Sequence, residues 1–176
     1  MAQFVAFAPE VEVKGISILG IIETMGEEVI PIFEKHNLSL IDPDEWYNQQ
    51  EYLNAYREIS ELNFMNLVAI GMKIPDHAAW PPNVKTVHDA LASVNVAYQM
   101  NHRGGEIGSY DYTAVSENEG VMVCRNPYPS DFDYGLIYRI VQKFRTKEDN
   151  TIVVKRDTKL PNRLTGADSC TYHITW

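Results

Sequence analysis

The sequence predicts an α+β fold, with N-terminal helices followed by a β-β-α-β-β antiparallel sheet unit and the helices packed on the sheet. Three observations carry this. Apolar residues recur at helical spacing through Gly15–His36 and again through Val84–His102. From Ile107 onward the period drops to two, as it does where side chains alternate between the faces of a strand. Helices also come first and strands later, the order of an α+β chain and not of an alternating one.

Taken in order, Gln3 to Val13 alternates weakly through Phe4, Ala6 and Ala8, giving a short arm or an edge strand. Gly15 to His36 reads as a helix, with Ile18, Ile22, Met25, Val29 and Ile32 on one stripe and Ile16, Leu19, Ile21, Ile30 and Phe33 broadening it. Pro31 predicts a kink or break near Glu27 to Ile30. So wide an apolar surface belongs to a helix that is central or shared with a second subunit. Asp42-Pro43 supplies an N-cap and a first helical proline for the next helix, with Trp46, Leu53, Tyr56 and Ile59 on its buried side. A third helix, from Phe64 to Lys73, stops at Pro75. Pro75 to Asn83 is a loop with three prolines. Val84, Val87, Leu91, Val94 and Tyr98 form the seam of the Val84–His102 helix, which Gly104-Gly105 ends.

The sheet follows. Ile107 to Val115 is a strand, Glu117 to Gly120 a turn, and Val121 to Arg125 its antiparallel partner. Ser130 or Asp131 caps a helix from about Phe132 to Arg145, with Leu136, Ile140 and Phe144 inward. Ile152 to Arg156 is the third strand and Leu160 to Gly166 a loop. In the last strand Cys170, Tyr172, Ile174 and Trp176 share the inward face.

The 176 residues make one domain the expectation, large enough for a core that needs no disulfide or metal. A formal charge of -9 argues against nucleic acid and anionic membrane as partners. Two cysteines do not make a disulfide framework and fit reduced thiols in a cytoplasmic protein. Met1 to Pro9 lacks the basic segment of a signal peptide. No run reaches the ~18 consecutive apolar residues that a membrane span needs. Nor is there a Gly-x-Gly-x-x-Gly, a Walker loop or a Gly-x-Ser-x-Gly, and no nucleophile or acid–base constellation is visible, so an enzyme is not expected.

The closing Gly166-Ala-Asp-Ser-Cys-Thr-Tyr-His-Ile-Thr-Trp176, with the hairpin and helix before it, resembles a superfamily. It groups vinyl-reductase-type ligand-binding domains, heme-nitric-oxide-binding domains and TRAPP-type assembly subunits. The resemblance implies a sensory or ligand-binding module, often dimeric, acting on a signalling partner. Heme-binding members carry a proximal histidine and a Tyr-x-Ser-x-Arg signature for the heme propionates. Here the nearest text is Tyr128-Pro-Ser130-Asp-Phe132, with Phe where that resemblance requires Arg. His102 stands either as an iron ligand or as a polar histidine at a helix end. Cys124 and Cys170 with Asp168 are too few for the four ligands of a structural zinc. No bound cofactor or metal is therefore expected.

The function expected is a non-enzymatic sensor that binds a small apolar or aromatic molecule between sheet and helices. It would form a homodimer through its N-terminal helices and act in trans on a signalling protein. A heme-dependent gas sensor and a TRAPP-like assembly subunit are the alternatives. Candidate pocket residues are Tyr98, His102, Tyr110, Tyr112, Cys124, Arg125, Tyr138, Tyr172 and Trp176, chosen as amphipathic or charged side chains able to orient a ligand.

Overall fold

The computed structural model describes residues 3–63, 65–146 and 151–176. Its architecture is α+β, with helices preceding an antiparallel sheet. A short strand, β1 (Glu12–Lys14), leads into helix α1 (Gly15–Met25). Gly26, at φ 89°, ends α1 in a backbone conformation that favours glycine. A 3-10 turn over Glu27–Val29 then leads to α2 (Ile30–Lys35). The one helix expected over Gly15–His36 is thus two helices. Pro31 lies in the first turn of α2, where its missing N–H leaves no bond unmade. The broad apolar surface of α1 is mostly absorbed within the chain: Ile18 and Ile21 are fully buried, Ile22 and Met25 pack against the core, and Ile16 is exposed.

Asp42 does not cap a helix. Its carboxylate accepts from the Asp44 amide at 2.9 Å in a turn. The chain next forms β2 (Trp46–Asn48) and α3 (Gln49–Leu62). Asn48 is the cap, its side-chain oxygen accepting from the amides of Gln50 (2.9 Å) and Glu51 (3.2 Å). Helix α4 spans Met65–His77 and α5 spans Val87–Met100; the expected start of α4 at Phe64 lies outside the described residues. Pro75 sits in the last turn of α4 instead of ending it. Thr86 and Asp89 form a reciprocal capping box at the start of α5.

Helix α5 stops two residues short of His102. His102 instead opens β3 (His102–Arg103) and pairs with Val13 of β1, giving a small sheet of order β2-β1-β3. The main sheet comprises β4 (Ser109–Ser116), β5 (Glu119–Arg125), β6 (Val153–Arg156) and β7 (Ser169–Thr175), with α6 (Ser130–Phe144) between β5 and β6. All its pairs are antiparallel, in the order β4-β5-β7-β6. Register sets Tyr110 opposite Cys124 and Cys124 opposite Cys170; one step along, Met122 lies between Tyr112 and Tyr172. These positions share the inner face, where Tyr110, Met122, Cys124, Cys170, Tyr172 and Ile174 are buried.

Helices α4 and α6 cross closely because glycines face each other's backbone. A Cβ on Gly71 would lie 2.2 Å from the Phe132 carbonyl oxygen, and one on Gly135 would lie 2.2 Å from that of Val68. This crossing fixes the start of α6, and with it Tyr128 to Asp133, against the N-terminal helices.

Candidate functional site

A cavity of about 230 Å³ lies between α5 and helices α1, α4 and α6. Its walls are mainly apolar and aromatic: Ile74, Trp80, Val94 and Leu136, with Tyr52 of α3 and Phe132 of α6. Met100 and Val96 of α5 also line it and are largely exposed, which places them at its mouth. His102, Tyr98, Tyr110 and Tyr128 bring polar atoms to this apolar space.

His102 is the centre of that group, at 8% exposure. Its Nδ1 lies 2.8 Å from the Tyr98 carbonyl oxygen and its Nε2 lies 2.6 Å from the Tyr128 hydroxyl. A carbonyl only accepts, so Nδ1 carries the proton. Burial pushes the ring pKa down from 6.5 to about 4, with the Tyr98 bond working the other way. The imidazole is therefore neutral near pH 7, and Nε2 holds a lone pair that accepts from Tyr128. Burial also raises the Tyr128 hydroxyl above its ordinary range, so it keeps the proton that it donates. The Tyr98 ring lies 4.1 Å from the imidazole, centroid to centroid, and fixes its tilt. A histidine with one nitrogen bonded to a backbone carbonyl and the other presented as a lone pair has the arrangement of a metal-ligating imidazole.

A buried charged network stands behind Tyr128. The Tyr128 amide donates to Asn126 Oδ1 at 2.9 Å, and its carbonyl accepts from the Arg163 guanidinium at 2.6 Å. Arg163 pairs with Asp133, both essentially without solvent contact. Asp133 also accepts from the Tyr110 hydroxyl at 2.8 Å. Burial opposes the Arg163 charge, but Asp133 together with the neighbouring Cys170 and Cys124 sulfurs outweighs it and the guanidinium stays protonated. Arg163 comes from the loop before β7, so the closing strand and the cavity wall are one connected structure.

Of the residues singled out in the sequence, Tyr98, His102 and Tyr110 line the cavity. The others are placed elsewhere. Tyr112 bonds His88 at 2.6 Å, and Trp176 lies edge-on to the same imidazole at 5.0 Å. Cys124 is buried opposite Cys170. Arg125 pairs with Glu106 at 2.9 Å and covers the Phe7 ring. Tyr138 stacks on Tyr134 along α6. The Tyr172 hydroxyl donates to the Ser130 carbonyl at 2.7 Å. Sequence reasoning missed Tyr52, Tyr128, Phe132 and the Arg163–Asp133 pair. The available signals were the text Tyr128-Pro-Ser130 and the helical spacing of Gln49, Tyr52 and Tyr56, which share a buried face of α3.

No family model matches the chain, and no curated protein does. Solved structures do. An H-NOX protein from S. oneidensis in the Fe(II)NO ligation state is 15% identical, with a TM-score of 0.68 over 92% of this chain and 97% of that one. An Fe(II) unliganded H-NOX protein from K. algicida is 13% identical, with a TM-score of 0.66 over 92% and 95%. A structure from work on heme distortion in the H-NOX family is 16% identical, with a TM-score of 0.66 over 92% of each chain. The fold is therefore that of the heme-nitric-oxide-binding domains, one branch of the resemblance seen in the closing strand. The expectation of no cofactor does not stand: the proteins sharing this fold are described with iron and heme. That expectation also weighed His102 as a polar residue at a helix end, whereas it is buried and neutral on a strand.

Proposed function

We propose that this chain is a heme-dependent sensor domain for a diatomic gas such as nitric oxide, acting without catalysis on a separate signalling protein. The observation that carries the proposal is His102, a buried neutral imidazole that lines an apolar cavity and whose Nε2 lone pair is held by the Tyr128 hydroxyl. Heme bound there would supply an iron with an open coordination position for the gas. The residues fit in two respects. The Nδ1–H bond to the Tyr98 carbonyl orients the ring and raises the basicity of Nε2. The aromatic and aliphatic walls present the apolar surface that a porphyrin face requires. The departure is Phe132, which sits where the resembling signature has Arg, so this chain lacks that contact for a propionate. The cavity, at about 230 Å³, is smaller than the ~300–1,000 Å³ of clefts that hold drug-sized ligands. Seating a macrocycle therefore requires the cleft to widen.

The backbone around His102 offers a path outward. His102 pairs with Val13, and the Lys14 amide donates to the Asn101 carbonyl at 3.0 Å, immediately before α1 begins. A displacement of His102 is thus felt at the start of α1, the kind of packed two-state contact that signalling domains use. A homodimer through the N-terminal helices belongs to the same reading, and light scattering at the mass of a single 20.1 kDa chain would remove it. Heme is a better supported ligand than the small aromatic molecule first expected. The test is a titration of the purified chain with heme under reducing conditions. A Soret band saturating at one heme per chain, and shifting on addition of nitric oxide, is expected; no band at any ratio would sink the proposal.

A further inference from the structure

We propose that Tyr128 is a positioning residue that caps the coordinating nitrogen of His102 in the heme-free chain and swings to Gln49 when the cofactor enters. The inference rests on the reading of His102 as the iron ligand. The hydroxyl of Tyr128 lies 2.6 Å from Nε2, the atom that an iron would occupy, so the two bonds exclude each other. The backbone of Tyr128 is pinned on both sides, its amide to Asn126 and its carbonyl to Arg163. A movement of Tyr128 is therefore one of its side chain, within the surrounding rings of Tyr52, Tyr56, Tyr98 and Phe132.

A second acceptor is already in place. Gln49 is fully buried, and its Oε1 has no hydrogen-bond partner among the described residues. The Nε2 of the same amide is 3.5 Å from the Tyr128 hydroxyl, so a rotation of the amide brings the unpartnered oxygen to the tyrosine. An orphaned buried acceptor is costly, and this one is relieved when Tyr128 leaves His102. Tyr128 thus has two bonding positions at one site. The cap keeps a basic nitrogen satisfied inside an apolar cavity, and the waiting amide lowers the barrier to giving it up.

The test uses the full chain with Tyr128→Phe and Gln49→Leu. In the Gln49→Leu background no second acceptor offsets the loss, so adding Tyr128→Phe there frees Nε2 and is expected to tighten heme binding by about three- to tenfold, the equilibrium worth of one neutral hydrogen bond. Gln49→Leu takes away the second acceptor and is expected to weaken heme binding severalfold. In the heme-free chain, the ¹⁵N resonance of His102 Nε2 in Tyr128→Phe should move toward that of an unbonded, unprotonated imidazole nitrogen. Unchanged or weaker heme binding when Tyr128→Phe is added to Gln49→Leu, or an Nε2 resonance that does not move, overturns the proposal. Absence of a Soret band in both wild type and Tyr128→Phe overturns the cofactor reading itself, and the Nε2 resonance still decides whether Tyr128 holds the nitrogen. If Tyr128→Phe does not fold, the wild-type resonance and Gln49→Leu decide.

Discussion

Asp133→Ala removes one half of the buried pair with Arg163. Side-chain exposure is 0% for Asp133 and 1% for Arg163, so water cannot screen the charge left behind. Breaking such a pair by deleting one partner costs ~3–5 kcal/mol, because the remaining guanidinium stays buried and uncompensated. The Tyr110 hydroxyl loses its acceptor as well, adding about 1 kcal/mol. Against the ~5–15 kcal/mol stability of an ordinary domain, that is a large share. The assay is urea denaturation at pH 7 followed by circular dichroism and by tyrosine fluorescence. The same experiment on Asp133→Leu combined with Arg163→Met should recover most of the loss, since an apolar pair of similar volume leaves no buried charge. A loss below about 1 kcal/mol for Asp133→Ala, or no recovery in the double variant, would refute the reasoning.

Gly71→Ala places a methyl 2.2 Å from the Phe132 carbonyl oxygen, so overpacking of the α4–α6 crossing should cost ~1–3 kcal/mol, read as a lowered melting temperature. Gly20→Ala, where a Cβ meets nothing within 4 Å, is the control and should hold or raise it. The pKa of His102, depressed to about 4 in the folded chain, means that the unfolded chain binds the extra proton first. Its contribution to stability is present above pH 6.5 and is lost as pH falls toward 4, by up to about 3 kcal/mol; His102→Gln should flatten the stability profile in that window. Burial raises the Cys124 thiol and Cys170 is equally enclosed, so both should resist alkylation at pH 8 in the native state and react fully in denaturant.

The parts of the fold legible in the sequence are those with a sustained period. The alternation Cys170, Tyr172, Ile174 is the burial pattern of β7, and the seam Val87, Leu91, Val94, Tyr98 is the buried face of α5. The small sheet was not legible because β1, β2 and β3 have three, three and two residues, too few to show alternation. Asp42-Pro43 reads as the cap, but Asp42 is used up in its own turn and Asn48 caps α3 instead. Arg163 lies in a loop, where an arginine is normally solvated; only the folded chain shows Asp133 opposite it. For the site, residue type located tyrosines without revealing which hydroxyls were already satisfied. Tyr112 and Tyr172 are spoken for by His88 and Ser130, while Tyr128, quoted only for its motif, holds the central contact.

Nε2 of His102 is the proposed iron ligand. His102→Gly, reconstituted with heme, tests it most directly when its absorption spectrum is recorded with and without free imidazole. The account predicts a Soret band in the wild type, its loss in the glycine variant, and its return when imidazole fills the vacated space. A variant that binds heme as tightly as the wild type, with an unchanged spectrum, would contradict it.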